Sequence, residues 1–276
     1  MNKEQFINET KKLNIDISVD TLKKLDTYYQ LLVEENKKYN LTAITEEPLV
    51  YLKHFYDSLT ITKIINLDNQ YLLDIGTGAG FPGLVLKIVF PNLKIDLLDS
   101  TNKKCQFLQM VIDELELKNI KVINTRAEEY AKNNREKYDI GVSRAVASLK
   151  VLAEYVLPFI KVGGYFISMK AFEIEEEVNE AKEKIKLLGG KIEEIKEIEI
   201  PNSDAVRKLV IIKKISKKWV DKYTCIAYNK RACLAGIYSA CIWKRRCLVH
   251  GCCWCSREDH AGLHGVQATQ LQHDEE

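Results

Sequence analysis

The stretch from Leu72 to Gly83, LLDIGTGAGFPG, decides the fold of this chain. Its apolar start predicts a buried strand that ends at Ile75, its glycines supply a turn, and Pro82 to Val89 can start a helix whose first amides face a ligand. Glycine is needed where a Cβ would block close approach of the backbone or bar a positive φ. The stretch therefore predicts a ligand-binding loop, with a plain strand-to-helix turn as the alternative.

The spacing of the glycines favours one class of ligand. Gly76, Gly78 and Gly80 lie two residues apart, and Phe81 stands where a nicotinamide-binding loop carries its third glycine. The loop also lacks the Gly-Lys-Ser/Thr ending with which ATP-binding loops hold phosphates and magnesium. The spacing thus favours S-adenosylmethionine over a dinucleotide or ATP.

Short apolar runs continue after the loop and alternate with segments of helical length. This alternation predicts a wound α/β sheet of mostly parallel strands. The last two runs closely flank Pro201 and Asn202, which predicts an antiparallel pair at the sheet edge. The seven runs are YLLDIG, KIDLLD, KVINT, YDIGVS, GGYFISMK, IEEIKEIEI and RKLVIIKKI.

The residues before the loop predict helices, because their apolar residues recur at helical spacing. In the last of these helices, His54, Asp57 and Ser58 share one face. We therefore expect an N-terminal helical extension over residues 1–66, followed by the α/β domain over residues 67–217. The three predicted helices cover Phe6–Asn14, Thr21–Tyr39 and Pro48–Asn66.

The composition changes abruptly near Lys218. The chain of 276 residues has a net charge of +2 from 41 basic and 39 acidic side chains, so no global field indicates a polyanionic partner. All three tryptophans and seven of the eight cysteines lie after Lys218, and the strong preference for lysine over arginine ends there. Residues 218–276 therefore form a separate, atypical tail rich in Cys, Trp and His.

Three interpretations of this tail are open. A shift of the reading frame near codon 218 explains the simultaneous change in several residue types; we favour it and expect the tail to be disordered. A zinc module is the second, because Cys252, Cys255, His260 and His264 approach the ligand spacing of a zinc knuckle. A disulfide-stapled extension is the third, and the body, with Cys105 as its single cysteine, argues against it.

Polar residues follow the second predicted strand. Asp99 closes this strand 23 residues after Gly76, where a carboxylate can accept hydrogen bonds from both ribose hydroxyls of a nucleoside. Ser100 and Thr101 come next, and capping of the following helix is the alternative role for Asp99. With the glycine loop present, we favour ribose binding.

The third and fourth strands also end in candidate site residues. Ala127 and Glu128 could bracket an adenine or begin a solvated helix. Arg144 ends the fourth strand, where a cation suits a carboxylate or phosphate, although an arginine often only pairs with a surface acid. Cys105 lies on a helix and is a poor candidate for the nucleophile of pyrimidine methylation, so we expect a small buried residue there.

The tip of the fourth strand indicates the acceptor. It carries no Asn/Asp-Pro-Pro-Tyr sequence, so the usual grip on an exocyclic amino group is missing. A ring nitrogen with a free lone pair, such as guanine N7, needs no general base. Orientation and exclusion of water would supply most of the catalysis of methyl transfer to such an atom.

Taken together, these motifs resemble one family. Residues 1 to about 215 are similar to the small-subunit ribosomal RNA guanine-N7 methyltransferases, RsmG, also called GidB or glucose-inhibited division protein B. The pieces that carry the resemblance are YNLTAI, HFYDSL, LLDIGTGAGFPGL, LLDSTNKKCQFL, TRAEEY, SRAVASL and GGYFISMK.

The resemblance implies a Rossmann-like S-adenosylmethionine-dependent methyltransferase fold and no metal. It implies methyl transfer to N7 of one guanine in the decoding-site region of 16S rRNA, at position 527 in standard 16S numbering. By matched motif, the resemblance implies that the cofactor-binding residues are Gly76, Gly78, Phe81, Asp99, Ser100, Thr101, Ala127, Glu128 and Arg144. Arg144 also lies beside the transfer site.

Three groups of residues are candidate RNA contacts. Lys37–Asn40 mixes cations, an aromatic ring and an amide, as single-stranded RNA recognition often does, or is a solvated helix end. Lys103 and Lys104 could steer phosphate. The run Lys213, Lys214, Lys217 and Lys218 is a further basic candidate, or a solvated face.

We expect a cytoplasmic monomer whose partner is 16S rRNA or the small ribosomal subunit, with no membrane contact. No stretch approaches the roughly 20 apolar residues of a membrane span, and Met1 is followed by polar residues. Two alternatives stay open: a methyltransferase of this fold with another RNA or a small-molecule acceptor, and an RNA-binding protein that keeps the cofactor pocket without turnover.

Overall fold

The seven apolar runs of the sequence form seven strands of one sheet in a computed structural model of the chain. The structure describes residues 1–144, 147–170, 173–203 and 206–217, all within the unit Met1–Val220. The predicted strands are thereby confirmed, while the tail from residue 218 lies outside the described residues. The strands are β1 (Tyr71–Ile75), β2 (Lys94–Asp99), β3 (Ile120–Asn124), β4 (Tyr138–Arg144), β5 (Ile160–Lys170), β6 (Gly190–Glu199) and β7 (Val206–Lys214).

The strand order is β3-β2-β1-β4-β5-β7-β6. Strands β1 to β5 are parallel, and β7 is antiparallel to both β5 and β6. This is the predicted Rossmann-like sheet with an antiparallel edge pair. Because Lys170 at the end of β5 pairs with Lys208 near the start of β7, the first residues of β7 lie beside the carboxyl ends of the parallel strands. We call this side of the sheet the carboxyl edge.

The helices begin and end where the sequence supplies caps. Asn2 and Ser18 accept hydrogen bonds from Gln5 N and Thr21 N at the first two helix starts, and Asn40 ends the second in the left-handed region. The α-helices are α1 (Lys3–Lys11), α2 (Val19–Tyr39), α3 (Glu47–Val50), α4 (Asp57–Leu59), α5 (Gly83–Val89), α6 (Asn102–Glu114), α7 (Ala127–Tyr130), α8 (Leu149–Val156) and α9 (Glu175–Leu187).

The third predicted helix is helical throughout most of its length but is not one α-helix. A wide π-helical segment, Tyr51–Tyr56, separates α3 from α4, and a 3₁₀ turn over Thr60–Lys63 follows. The π-helical segment contains His54 and directly precedes Asp57. π-Bulges often accompany functional sites. The side chains of His54, inside this segment, and Asp57, directly after it, both reach Arg144 at the end of β4.

The core consists of two apolar clusters. Because successive strand residues point to opposite faces, Leu72 packs in one cluster and Leu73 in the other. The first cluster contains residues of α1, α2, α5 and α6, and the second contains residues of α8 and α9. Two buried faces explain why the central strands β1, β2 and β4 are mostly buried apolar runs and not alternating patterns.

The longest helix among the described residues is α2, which has 21 residues and carries charges along its length. Across the described part of the chain, no helix combines the length and apolar character that crossing a bilayer requires.

Helix α5 approaches the sheet closely, because its first residue, Gly83, has no side chain. A Cβ there would lie 2.3 Å from Leu97 Cδ2 and 2.7 Å from Asp74 Oδ2. The Gly83 amide donates to that same Asp74 oxygen at 2.8 Å. The expectation that the first amide of this helix faces a ligand is therefore wrong at Gly83, because a buried carboxylate occupies it.

We expect Gly83→Ala to lower the free energy of unfolding by about 1–3 kcal/mol through overpacking, and further by weakening the bond to Asp74. Gly163→Ala is the control, because Gly163 has a φ of +90° but no atom within 4 Å of a Cβ. That control costs only the left-handed backbone, about 1–2 kcal/mol. Urea unfolding measures both, and a Gly83 variant no less stable than the Gly163 variant would contradict the packing argument.

Candidate functional site

A cavity of about 450 Å³ opens at the carboxyl edge, beside the ends of β1, β2 and β3. This size lies within the range of about 300–1,000 Å³ that is usual for small-molecule sites. Six of the nine predicted site residues line it, together with six others. The lining residues are Ile75, Gly76, Leu98, Asp99, Ser100, Thr101, Lys104, Thr125, Arg126, Ala127, Glu128 and Tyr155.

Asp99 fixes the shape of this cavity. Its Oδ2 atom accepts a hydrogen bond from Gly78 N at 3.1 Å, and its Oδ1 atom accepts one from Thr101 N at 2.8 Å. The carboxylate therefore joins the glycine loop to the start of α6, and it is 6% exposed. The alternative role as a helix cap is wrong, because the N-cap of α6 is Thr101 and no side chain caps the helix. A carboxylate accepts several hydrogen bonds, so these two backbone bonds leave capacity for hydroxyl donors of a ligand.

The glycine loop itself takes a conformation that side chains disfavour. Gly80 has a φ of +104°, and a Cβ on it would lie 2.5 Å from Leu84 Cδ1 and 2.7 Å from the Tyr28 hydroxyl. The Tyr28 hydroxyl in turn donates to the carbonyl of Ala79. Tyr28, a buried residue of α2, thus contacts the glycine loop directly, so the N-terminal helices help to fix the loop that lines the cavity.

Three predicted site residues do not line the cavity. Gly78 is held by Asp99, whereas Phe81 and Arg144 lie together on the other side of the glycine loop. The Arg144 guanidinium lies 4.9 Å from the centroid of the Phe81 ring, and the His54 ring stacks on the same ring at 4.3 Å. The loop therefore separates an open cavity from a compact group of aromatic and charged side chains.

Arg144 ends β4 at the carboxyl edge, as predicted, and its partner is buried. Its NH1 atom donates to Asp57 Oδ2 at 2.9 Å and to the carbonyl of Lys53 at 3.1 Å. Arg207 donates to the same carboxylate. The sequence does not predict this contact, because Arg207 lies at the start of β7, 63 positions after Arg144. The alternative that Arg144 pairs with a surface acid is wrong, since Asp57 is 0% exposed.

His54 is a neutral imidazole in this environment. Burial, followed by the neighbouring Arg144 charge, lowers its pKa to about 4. Both ring nitrogens have partners: Nε2 lies 2.9 Å from Thr42 Oγ1, and Nδ1 lies 3.1 Å from the Lys53 carbonyl oxygen.

The candidate RNA contacts differ in their surroundings. In the first group, Lys37 and Asn40 are exposed, Lys38 pairs with Glu35 at 2.7 Å, and the Tyr39 ring lies 5.9 Å below Lys103 Nζ. The helix end of α2 and the start of α6 therefore form one mixed basic and aromatic surface. Lys104 lines the cavity and lies 3.9 Å from Asp99 Oδ2.

The basic run near the end of β7 is not a free cationic surface. Lys213 pairs with Glu193, and Lys217 pairs with Glu136. Lys214 is 1% exposed and donates to the carbonyl of Leu188 at 2.6 Å, so the alternative of a solvated face is wrong for it. Burial lowers the pKa of Lys214 to about 8. Lys218 lies outside the described residues, as do the tail cysteines and histidines.

Cys105 is buried, as predicted, and its Sγ atom lies 3.4 Å from the carbonyl oxygen of Asp99. Burial raises the pKa of this thiol to about 11, so it is not an activated nucleophile. Among the described residues, no group of three or more His, Cys, Asp or Glu side chains has the arrangement of a metal site.

Comparison with known proteins identifies the family. Residues 21–209 match the family model of GidB, rRNA small subunit methyltransferase G. The chain belongs to this family. It is 49% identical over 215 residues to the ribosomal RNA small subunit methyltransferase G of Thermoanaerobacter sp. (strain X514), which covers 77% of this chain and 90% of that protein. The protein of the same name from Staphylococcus carnosus (strain TM300) is 44% identical, over 79% of this chain and 92% of that protein.

The family resemblance predicted from the motifs is thereby confirmed, and the chain is a methyltransferase. Among solved structures, it is similar to M. jannaschii TYW2 in complex with AdoMet, with a TM-score of 0.49 and 15% identity, over 63% of this chain and 80% of that one.

The lowered pKa of His54 predicts a pH-dependent stability. Because the folded pKa of about 4 lies below the unfolded value of about 6.5, the unfolded chain binds the proton first, and stability is lost as the pH falls through this window. We expect wild type to lose about 2 kcal/mol more unfolding free energy than His54→Gln between pH 7 and pH 5. Urea unfolding at both pH values measures this difference, and an equal loss in the two proteins would contradict a neutral, buried His54.

Proposed function

We propose that this chain transfers a methyl group from S-adenosylmethionine to N7 of a guanine in 16S rRNA, at position 527 in standard 16S numbering. Membership of the rRNA small subunit methyltransferase G family supports an rRNA acceptor. The observation that carries the cofactor assignment is the cavity at the carboxyl edge, in which the Asp99 carboxylate and the glycine loop meet. Nucleotide-like ligands of open α/β sheets bind at this edge.

The residues of the cavity fit S-adenosylmethionine. The Asp99 carboxylate suits the two ribose hydroxyls, and the apolar surfaces of Leu98 and Ala127 suit an adenine ring. Glu128 and Tyr155 supply polar atoms on the same side. S-adenosylmethionine, when bound, supplies an electrophilic methyl group on a positively charged sulfur.

The described side chains near the loop support an acceptor that already has a free lone pair. Cys105 is buried and protonated, and both nitrogens of His54 have protein partners. Guanine N7 would form the new N–C bond with its own lone pair while the C–S electrons return to sulfur, so no proton has to be removed. The protein's contribution is then to orient the base in line with the methyl group and to exclude water.

The decisive experiment is transfer of labelled methyl from S-adenosylmethionine to small ribosomal subunits, and to free 16S rRNA, that lack the modification. Reduction and chain cleavage at 7-methylguanine locates the modified base in the product. We expect a single labelled guanine, at position 527. Label on another RNA or on a small molecule would assign a different acceptor, and cofactor binding without any transfer would indicate an RNA-binding protein without turnover.

Asp99→Ala tests the cofactor assignment. Removal of the carboxylate loses a charged hydrogen bond worth about 1.5–3 kcal/mol, so the Kd for S-adenosylmethionine should rise about tenfold or more. Asp113→Ala is the matched control, because Asp113 is an exposed carboxylate on α6 that accepts a bond from Gln109, one turn earlier on the same helix. Calorimetric titration gives both Kd values, and equal values for the two variants would refute ribose binding by Asp99.

A further inference from the structure

Asp57 is a buried carboxylate shared by two arginines from separate strands. Its Oδ1 atom accepts a hydrogen bond from Arg207 Nε at 2.7 Å, and its Oδ2 atom accepts bonds from Arg207 NH2 at 3.0 Å and Arg144 NH1 at 2.9 Å. We call these three residues the Asp57 cluster. It joins the helical segment before the sheet to the end of β4 and the start of β7.

The chemistry of the cluster makes the carboxylate hard to replace. Arg207 grips both oxygens in the planar, bidentate arrangement that guanidinium and carboxylate groups favour. Arg144 uses a lone pair of Oδ2 that this grip leaves available. An asparagine side chain has one oxygen, so it cannot accept all three of these hydrogen bonds. Its NH₂ group would stand where the second oxygen was and would face an N–H donor of a guanidinium group.

The Asp57 cluster contacts the glycine loop through the ring of Phe81. The Arg144 guanidinium lies over Phe81, 4.9 Å from the ring centroid, and Phe81 belongs to the glycine loop. His54, on the same helical segment as Asp57, stacks on that ring at 4.3 Å and lies 3.3 Å from Arg144 NH2 through its Nδ1 atom. The orientation of Arg144 relative to the loop is therefore set by Asp57 on one side and by Phe81 on another.

The cluster has an excess of positive charge and reaches solvent through its arginines. It contains two guanidinium groups and one carboxylate, and the neighbouring imidazole of His54 is neutral. The side chains of Arg144 and Arg207 are 11% and 23% exposed, whereas that of Asp57 is 0% exposed. The anion is thus enclosed and the cations lie toward the surface of the carboxyl edge, an arrangement suited to an anionic acceptor such as RNA.

We propose that Asp57 is a positioning residue for methyl transfer: it holds Arg144 and Arg207 in the one arrangement that orients the RNA acceptor against the glycine loop. This inference rests on the proposed function, because it assumes an RNA acceptor on the Phe81 side of the loop. Asp57 itself does not touch the acceptor, since it is fully enclosed.

Asp57→Asn tests the proposal, with Asp96→Asn as the matched control. Asp96 is also a buried carboxylate, 2% exposed, but it accepts bonds from the hydroxyls of Tyr138 at 2.6 Å and Tyr71 at 2.8 Å, away from the cavity. Four quantities are measured for each protein: the single-turnover rate at saturating 16S substrate, the substrate concentration at half saturation, the Kd for S-adenosylmethionine, and the Tm.

We expect Asp57→Asn to slow the single-turnover step about tenfold or more, because small misplacements of orienting groups are costly, while its cofactor Kd stays within about threefold of wild type. Asp96→Asn should lower the Tm and leave the rate at saturation unchanged. An unchanged rate in folded Asp57→Asn, or an equal loss of rate in both variants, would overturn the positioning role.

Arg207→Lys keeps the test decisive where Asp57→Asn does not fold. It preserves the charge, removes the bidentate grip on Asp57, and affects a side chain that is partly exposed. We expect a several-fold slower transfer with a Tm close to that of wild type, and a wild-type rate would overturn the proposal. Failure of the proposed function is a separate result, because then wild type itself transfers no methyl group to 16S rRNA.

Discussion

Two buried carboxylates at the ends of adjacent strands hold the glycine loop, and the rest of the site depends on them. Asp74 at the end of β1 accepts from the Gly83 amide, and Asp99 at the end of β2 accepts from the Gly78 amide. Burial raises the pKa of Asp74 to about 6, the mark of an acid enclosed by the fold. Because both ends of the loop are fixed to the sheet, its residues keep their place between the cavity and Phe81.

The loop divides the carboxyl edge into two environments of different chemistry. On one side lies an open cavity lined by part of the glycine loop, by apolar residues and by polar and charged side chains, among them Asp99. On the other side lie the stacked rings of His54 and Phe81 with the arginines that share Asp57. The cavity suits a methyl donor, and the arginines suit a polyanionic acceptor. A parallel sheet can provide both environments at one edge because its strands all end there.

Much of this architecture could be predicted from the sequence, because its signals are local. Each strand is a short apolar run, and the glycine loop and Asp99 each follow directly on a strand. The predicted residues Gly76, Asp99 and Ala127 do line the cavity. Thr125 and Arg126 line it as well, and the same reasoning about strand ends could have included them.

The remaining features could not be predicted locally. Tyr155 reaches the cavity from α8, and Arg207 reaches Asp57 from the start of β7, through pairings that depend on the tertiary fold. The helix over residues 48–66 was predicted as continuous, because spacing alone does not distinguish a π-helical segment from an α-helix. Lys214 counted as part of a basic run, although its long apolar stem allows it to lie inside and bond to a carbonyl.

The sharing of Asp57 also has a consequence for how such a protein can change. One carboxylate from the helical segment pairs with two cations from the sheet, so the two parts of the sequence are coupled electrostatically. A chain that began after residue 66 would keep both guanidinium groups and lose their common anion. We therefore expect a helical segment taken from another member of the family to be compatible with this sheet only where it offers an acid at the same point, because two guanidinium groups held together without their anion are costly.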